Sequence, residues 1–192
     1  MNLIFDFGKV LIDWDPHYLY DPYFGDRSRT DWFLENICTM EWNTQMDGGK
    51  PFAVGVAELS KRFPEWAREI EMFHSRWTEM VGGAVPGMYE LLTDLKAAGH
   101  RLYGLSNWST ETFPLVRDRF PSLQLLEGIV VSGYEGIVKP DPAIYELLLK
   151  RYGLDARDCV FIDDNPANVA GAAAVGIRGI HFTSATDLRA AL

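Results

Sequence analysis

The chain reads as an α/β protein, a doubly wound parallel sheet with an all-helical insert after its first strand. Three observations predict this. Short, fully apolar runs of the kind buried on both faces recur along the sequence. Amphipathic helical patterns separate most of them. One long tryptophan-rich stretch shows helical spacing and no convincing strand.

In order, Leu3-Ile4-Phe5 is the first strand-like run and ends in Asp6. Residues 15–82 break the strand–helix alternation and hold Trp32, Trp42, Trp66 and Trp77, with Trp14 at the edge. Arg29–Ile37 sets Trp32, Phe33 and Ile37 on one face, and Glu65–Met80 does the same with Trp66, Ile70, Phe73 and Trp77. Asp13 and Asp15, beside Pro16, read as caps of the first inserted helix. Gly82-Gly83 and Pro86-Gly87 read as the return hinge. Met88–Ala98 repeats apolar residues at 88, 91, 92 and 95 and stops at Gly99. Strand-like Leu102–Leu105 and Ile129–Val131 follow, then a helix over Ala143–Tyr152 entered through Pro140 and Pro142. Val160–Ile162 is the fourth run. Ala167–Val175 is a small-residue helix suited to close packing on a sheet, Gly176 ends it, and Gly179–Phe182 is a weaker fifth strand. The expected organisation is a Rossmann-like core made of residues 1–14 and 83–192, with 15–82 as a helical cap.

Composition narrows the function. With 192 residues and 47% hydrophobic content, the chain can bury a substantial core. A net charge of −9 without a lysine or arginine block argues against nucleic acid or anionic membrane as the main partner. A phosphorylated substrate would therefore need a local positive site: a metal, a lysine, helix N-termini. Cys38 and Cys159 form no CxxC pair, which points to a reducing compartment. The strand-like start leaves no room for a signal peptide, and no apolar stretch reaches membrane-spanning length, so a cytoplasmic protein is expected.

The residues that carry chemistry sit at strand ends. Phe161-Ile162-Asp163-Asp164-Asn165 runs from apolar strand into two adjacent carboxylates, and Asp6 ends the first strand in the same way. Like charges at the end of a buried strand call for a cation, and a hard divalent ion such as Mg²⁺ suits carboxylate oxygens. The plainer reading has Asp164 capping the helix that Pro166 opens, with Asp163 a solvated neighbour. Taken singly, Ser106-Asn107 reads as a turn, Lys139 as an exposed loop lysine and Asp6 as an Asx-turn residue. Ordered along one sheet edge, where open α/β sheets bind ligands, they read as a site. His17, His74, His100 and His181 are scattered and read as structural or solvated. Trp14, Trp42, Gln45 and Trp108 are candidate pocket-lining residues.

Four segments, Asp6-Phe7-Gly8-Lys9-Val10-Leu11, Leu105-Ser106-Asn107, Lys139-Pro140-Asp141-Pro142 and Phe161–Asn165, occur in this order. The set resembles the haloacid dehalogenase-like hydrolase superfamily, and in pattern the bacterial sugar-phosphate phosphatases of the glucose-1-phosphate type, with their four-helix cap. The resemblance implies a Mg²⁺-dependent phosphatase acting on a small phosphorylated metabolite, with a sugar phosphate favoured. Asp6 would be the nucleophile, forming an aspartyl-phosphate while its other oxygen touches the metal. Asp164 and the Gly8 carbonyl would complete the protein's metal ligands, with Asp163 the weaker candidate. Ser106 and the Asn107 backbone would hold phosphate oxygens, and Lys139 would offset charge on phosphate and Asp6. One alternative is a 2-haloacid dehalogenase, against which the paired Asp163-Asp164 speaks. Another is a weakly catalytic binding or regulatory protein, against which Asp6, Lys139 and Asp164 speak.

The chain departs from the pattern at Gly8. Many phosphatases of the superfamily carry there a second aspartate that protonates the leaving oxygen, a contribution of about 10²–10⁴-fold. Without it the enzyme must favour leaving groups that need little protonation, such as anomeric, aryl or acyl phosphates, or recruit water or a cap residue. Lys9 also stands where glycine or asparagine is more usual.

Overall fold

The computed structural model describes residues 1–192. From the N-terminus, β1 (Asn2–Phe5) and short β2 (Ile12–Trp14) lead into α1 (His17–Phe24), α2 (Arg27–Asn36), α3 (Met40–Asp47), α4 (Phe52–Arg62) and α5 (Ala67–Ser75). β3 (Val81–Ala84) returns the chain, followed by α6 (Met88–Ala97), β4 (Arg101–Ser106), α7 (Phe113–Arg117), α8 (Pro121–Gln124) and β5 (Gly128–Val131). Next come α9 (Ser132–Glu135), α10 (Pro142–Tyr152), β6 (Cys159–Asp163), α11 (Pro166–Ala174), β7 (Arg178–His181) and α12 (Ala185–Ala191). No helix is long and apolar enough to cross a membrane.

A five-stranded sheet runs β5-β4-β1-β6-β7, and every neighbouring pair is parallel. The side chains show why these strands read as continuous apolar runs. Leu3 and Phe5 join a core on one face with Leu102, Val160 and Ile162, while Ile4 joins Tyr103, Leu105, Val130 and Phe161 on the other. The period-2 alternation of a strand distributes one run between two cores, so both faces are covered. After β5 the chain crosses back over β4 and β1 to β6, and the crevice at that reversal opens at the carboxyl ends of β1, β4 and β6.

Between β2 and β3 lie five α-helices, against the four the resemblance implies. Two expectations fail here. The pattern over Glu65–Met80 is not one helix: a 3₁₀ turn at Pro64–Trp66, α5 and a 3₁₀ turn at Trp77–Met80 share it. Phe63, ahead of Pro64, leaves the helical region (φ −131°, ψ 68°), as the proline ring crowds it out of that conformation. Ile70, Phe73 and Trp77 nevertheless stay buried on one face. Gly82-Gly83 is also not a bare hinge: β3 pairs antiparallel with β2, Asp13 opposite Gly83, with a bulge at Asp13/Trp14. Tyr18 Oη donates to Asp13 Oδ2 at 2.7 Å. A Cβ on residue 82 would fall 2.5 Å from that carboxylate, so any larger residue would have to displace the Asp13–Tyr18 pair.

Candidate active site

β1, β4 and β6 end side by side, and their registers bring Asp6, Ser106 and Asp163 to one edge. Ser106 Oγ donates to Asp6 Oδ1 at 2.7 Å. Lys139, 3% exposed, arrives from the loop before α10 and is not the solvated loop lysine its isolated sequence suggests. Its Nζ lies 2.9 Å from Asp6 Oδ1 and 2.6 Å from Asp163 Oδ2, and donates to the Leu105 carbonyl at 3.1 Å. Asn107 fixes that loop by a reciprocal pair: its Nδ2 donates to the Lys139 carbonyl at 3.0 Å, and its Oδ1 accepts from the Lys139 N–H at 2.8 Å. The Asn107 side chain is thus committed to positioning Lys139, which leaves its backbone free for the role the resemblance gives it.

Asp163 and Asp164 part company despite their adjacency. Asp163 is fully buried, where the plainer reading had it solvated. Its Oδ1 accepts from the Asn165 N–H at 2.8 Å, and Asn168 Nδ2 reaches both oxygens at 3.0–3.1 Å. With Lys139 added, its lone pairs are occupied from within the protein. Asp164 is half-buried, lines the cavity and does not cap α11; Asn165 does, its side chain accepting from the Ala167 N–H at 2.9 Å. One carboxylate oxygen from each of Asp6, Asp163 and Asp164 lies within 4.8 Å of the others.

Three carboxyls around one ammonium shape the electrostatics. Burial pushes the Asp6 carboxyl up to about 6, with Lys139 pulling it down and Asp163 pushing it further up. Burial and Asp163 also raise Asp164, while Lys9 and Lys139 oppose them. Burial works to discharge Lys139, yet Asp6 and Asp163 hold its ammonium above the ordinary value. The negative excess is what a divalent cation would neutralise, and the all-oxygen donor set fits Mg²⁺.

Above this edge lies a cavity of about 720 Å³ reaching Asp6, Gly8, Lys9, Ser106, Asn107, Lys139 and Asp164. Its far wall comes from the helical segment: Asp15, His17, Asp31, Glu35, Asn43 and Asp47, with Trp14 and Trp77 beside Trp108. Trp14 and Trp108 line it as expected, and each carries a buried indole N–H without a partner. Trp42 and Gln45 do not. Trp42 is core, its Nε1 donating to the Gly55 carbonyl at 3.3 Å, and Gln45 binds the Lys50 ammonium at 2.9 Å. Of the two proposed caps only Asp15 acts at the start of α1, its Oδ1 accepting from the His17 N–H at 2.9 Å. The His17 ring spans Asp15 Oδ1 (2.6 Å) and Asp31 Oδ1 (2.9 Å), and these carboxylates hold it above its ordinary pKa against its partial burial.

Asn168 and Asp47 escaped sequence reasoning. Asn168 stands three residues after Asn165 on the first turn of α11, a spacing that turns both toward the strand end and could have flagged it. Asp47 has no comparable signal, because only tertiary packing brings the end of α3 to the cavity.

Comparison with known proteins identifies the family. The family model of haloacid dehalogenase-like hydrolases matches residues 26–176. A sesquiterpene phosphatase of Aspergillus oryzae is 37% identical over 186 residues, spanning 94% of this chain and 88% of the relative. Among solved structures, a HAD family enzyme from Bacteroides thetaiotaomicron in complex with magnesium and inorganic phosphate superposes with a TM-score of 0.71 at 21% identity, covering 95% of this chain and 94% of that one. A dehalogenase superposes with a TM-score of 0.75 at 17% identity over 100% of this chain and 96% of its own. At those identities the two structural likenesses concern the fold alone. The matched model and the 37% relative together place the chain among the haloacid dehalogenase-like hydrolases.

Proposed function

We propose that the chain is a Mg²⁺-dependent phosphatase that hydrolyses a small phosphorylated metabolite through an aspartyl-phosphate on Asp6. The observation that carries this reading is the buried Lys139 ammonium bridging Asp6 and Asp163, with Asp164 alongside. A carboxylate nucleophile needs positive charge to approach an anionic phosphate, and this edge is built to supply it. Mg²⁺ would be held by Asp6, Asp164 and the Gly8 carbonyl, and when bound would neutralise charge on the phosphate oxygens. Asp163 serves instead to hold Lys139. Ser106 keeps Asp6 oriented and, with the Asn107 backbone, meets the phosphate oxygens. Residues 15–82 act as a cap on a core of residues 1–14 and 83–192.

The cavity's composition speaks to the substrate. Its cationic side chains, Lys9 and Lys139, lie at the floor, while Asp15, Asp31, Glu35 and Asp47 ring the rest. Such a wall disfavours a second phosphate and suits hydroxyl donors, and the tryptophans offer a flat face to a ring. A sugar monophosphate fits this best. A terpenyl phosphate is the second reading, favoured by the Aspergillus oryzae relative and the Trp14–Trp77–Trp108 wall.

The test is phosphate release from a panel of sugar, terpenyl and other metabolite phosphates, with and without Mg²⁺. Chelator should abolish release and added Mg²⁺ should restore it. Full activity in excess chelator, with halide release from a 2-haloacid, would overturn the phosphatase reading in favour of a dehalogenase.

A further inference from the structure

Gly8 leaves the floor of the cavity without a proton donor, so the remaining acids on its walls matter. Asp163 is saturated by Lys139, Asn165 and Asn168. Asp15 and Asp31 are tied to His17, and Asp31 also to Arg27. Asp47 differs from them. Its carboxyl is met by a neutral donor, Asn43 Nδ2 at 3.1 Å, and no cation is paired with it. It ends α3, where the helix dipole also disfavours negative charge.

Its position is fixed to the floor. The Asp47 carbonyl accepts from Ser132 Oγ at 2.6 Å, and the same Oγ accepts from the Trp108 N–H at 3.0 Å. Trp108 directly follows Ser106-Asn107. One hydroxyl thus joins the end of α3, the start of α9 and the turn beside Asp6.

We propose that Asp47 is the catalytic proton donor to the leaving oxygen, supplied from the helical segment in place of the acid missing at residue 8. The proposal rests on the phosphatase reading above. Asp6 attacks phosphorus, the bond from phosphorus to the ester oxygen breaks, and that oxygen takes the Asp47 proton to leave as the alcohol. The resulting Asp47 carboxylate then takes a proton from water as that water attacks the aspartyl-phosphate. The Asp6–phosphorus linkage breaks, inorganic phosphate leaves, and both side chains return to their starting forms. Burial pushes the Asp47 carboxyl up to about 7, with Asp6 adding and Lys139 and the Ser109 N–H opposing. It therefore holds a proton to give at neutral pH and below, and loses it as pH rises past that value. The charged groups facing it are Asp6 and Lys139; Asn43, Ser109 and Ser132 are neutral, and Lys50 is tied to Glu58.

The experiment compares the parent, Asp47→Asn and the double variant Gly8→Asp/Asp47→Asn on phosphomonoesters whose leaving alcohols run from nitrophenol to a primary alcohol, with Mg²⁺. Asp47→Asn should lose about 10²–10⁴-fold on primary-alkyl phosphates and less than about 10-fold on nitrophenyl phosphate, so that log rate falls more steeply with leaving-group pKa. The alkaline decline of kcat near pH 7 should vanish with it. A Cβ at residue 8 meets no atom within 4 Å, so the added Gly8→Asp starts from open space at its Cβ and should restore the poor leaving groups. A folded Asp47→Asn protein that matches the parent, or loses equally on every ester, overturns the proposal. If Asn at 47 prevents folding, Asp47→Ser gives the same comparison. A parent that releases phosphate from no ester overturns the phosphatase reading itself, a result distinct from the others.

Discussion

The floor and the far wall of the cavity are built on different physics. At the floor, Asp6, Ser106, Asn107, Lys139, Asp163 and Asn168 bind one another through ion pairs and hydrogen bonds of 2.6–3.1 Å, with the buried Lys139 at their centre. The far wall is held by aromatic packing: Trp14 against Phe73 and Trp77, Trp42 against Phe73, Tyr20 against Phe33. Its polar residues project from that apolar scaffold and pair among themselves, as Asp15, His17 and Asp31 do. The lesson is a division of labour: the floor holds three carboxyls and one ammonium in fixed positions that a divalent cation would complete, while the wall rests on its own aromatic core.

The sharpest way to break this comparison is Asp6→Asn. If the floor carries the chemistry, turnover should fall at least ~10⁴-fold. The fold should persist, because Lys139 keeps Asp163 and the Leu105 carbonyl as partners. Beryllium fluoride, which mimics a phosphoryl group on a carboxylate, should attach to Asp6 in the parent and not in the variant. A near-normal rate in Asp6→Asn would put the nucleophile elsewhere.

Lys139→Met tests whether the floor is also part of the fold. It leaves Asp6 and Asp163 buried around an uncharged thioether, and removing one partner of a buried ion pair costs about 3–5 kcal/mol. Urea unfolding at neutral pH should show a loss of that order, shrinking in acid as the Asp6 carboxyl, already raised to about 6 by burial, takes up its proton. A change below about 1 kcal/mol would mean the network is not holding two buried charges.

What could be read from the sequence follows the same division. The end of β6 is legible because apolar run, acids and helix opener are contiguous there, and Asp6 because an acid ends an apolar run; Ser106, a turn residue taken singly, emerged only from the order of the four segments. The environments of Asp163 and Asp164 could not be separated, since that depends on Lys139 and Asn168 arriving from other elements. The parallel strands announced themselves by doubly buried side chains. β3 did not, because its two glycines carry no strand signal: Gly82 lies against Asp13 and Tyr18, and Gly83 takes a positive φ of 134°. Asp47 was hidden for the deepest reason: a helix-ending aspartate beside Gly48-Gly49 looks solvated until Ser132 ties it to the other side of the cavity.

Lys9→Gly probes the seam between the two regions and should have the smallest effect. Lys9 lies in the tight turn joining β1 to β2, where the N–H groups of Val10, Leu11 and Ile12 all point at the Phe7 carbonyl and the Lys9 N–H reaches Ile12. That turn holds Lys9 at φ 60°, the left-handed region a side chain enters at a cost of about 1–2 kcal/mol. Glycine removes this strain, but it also frees the unfolded chain by about 0.4–1 kcal/mol. The net expectation is a gain of roughly 0.5–1 kcal/mol in unfolding free energy. The charge acts the other way on function. The Lys9 ammonium lowers the Asp164 and Asp15 carboxyls from across the cavity, so it contributes positive potential where phosphate would enter. Losing a charge contact of about 1 kcal/mol corresponds to roughly a fivefold rise in KM with kcat little changed. Lys9→Asn separates the two effects, because asparagine tolerates the left-handed turn without the charge: it should share the higher KM and part of the stabilisation. If Lys9→Gly gains stability with KM unchanged, Lys9 is a strained turn residue only, and the positive potential at the floor comes from Lys139 alone.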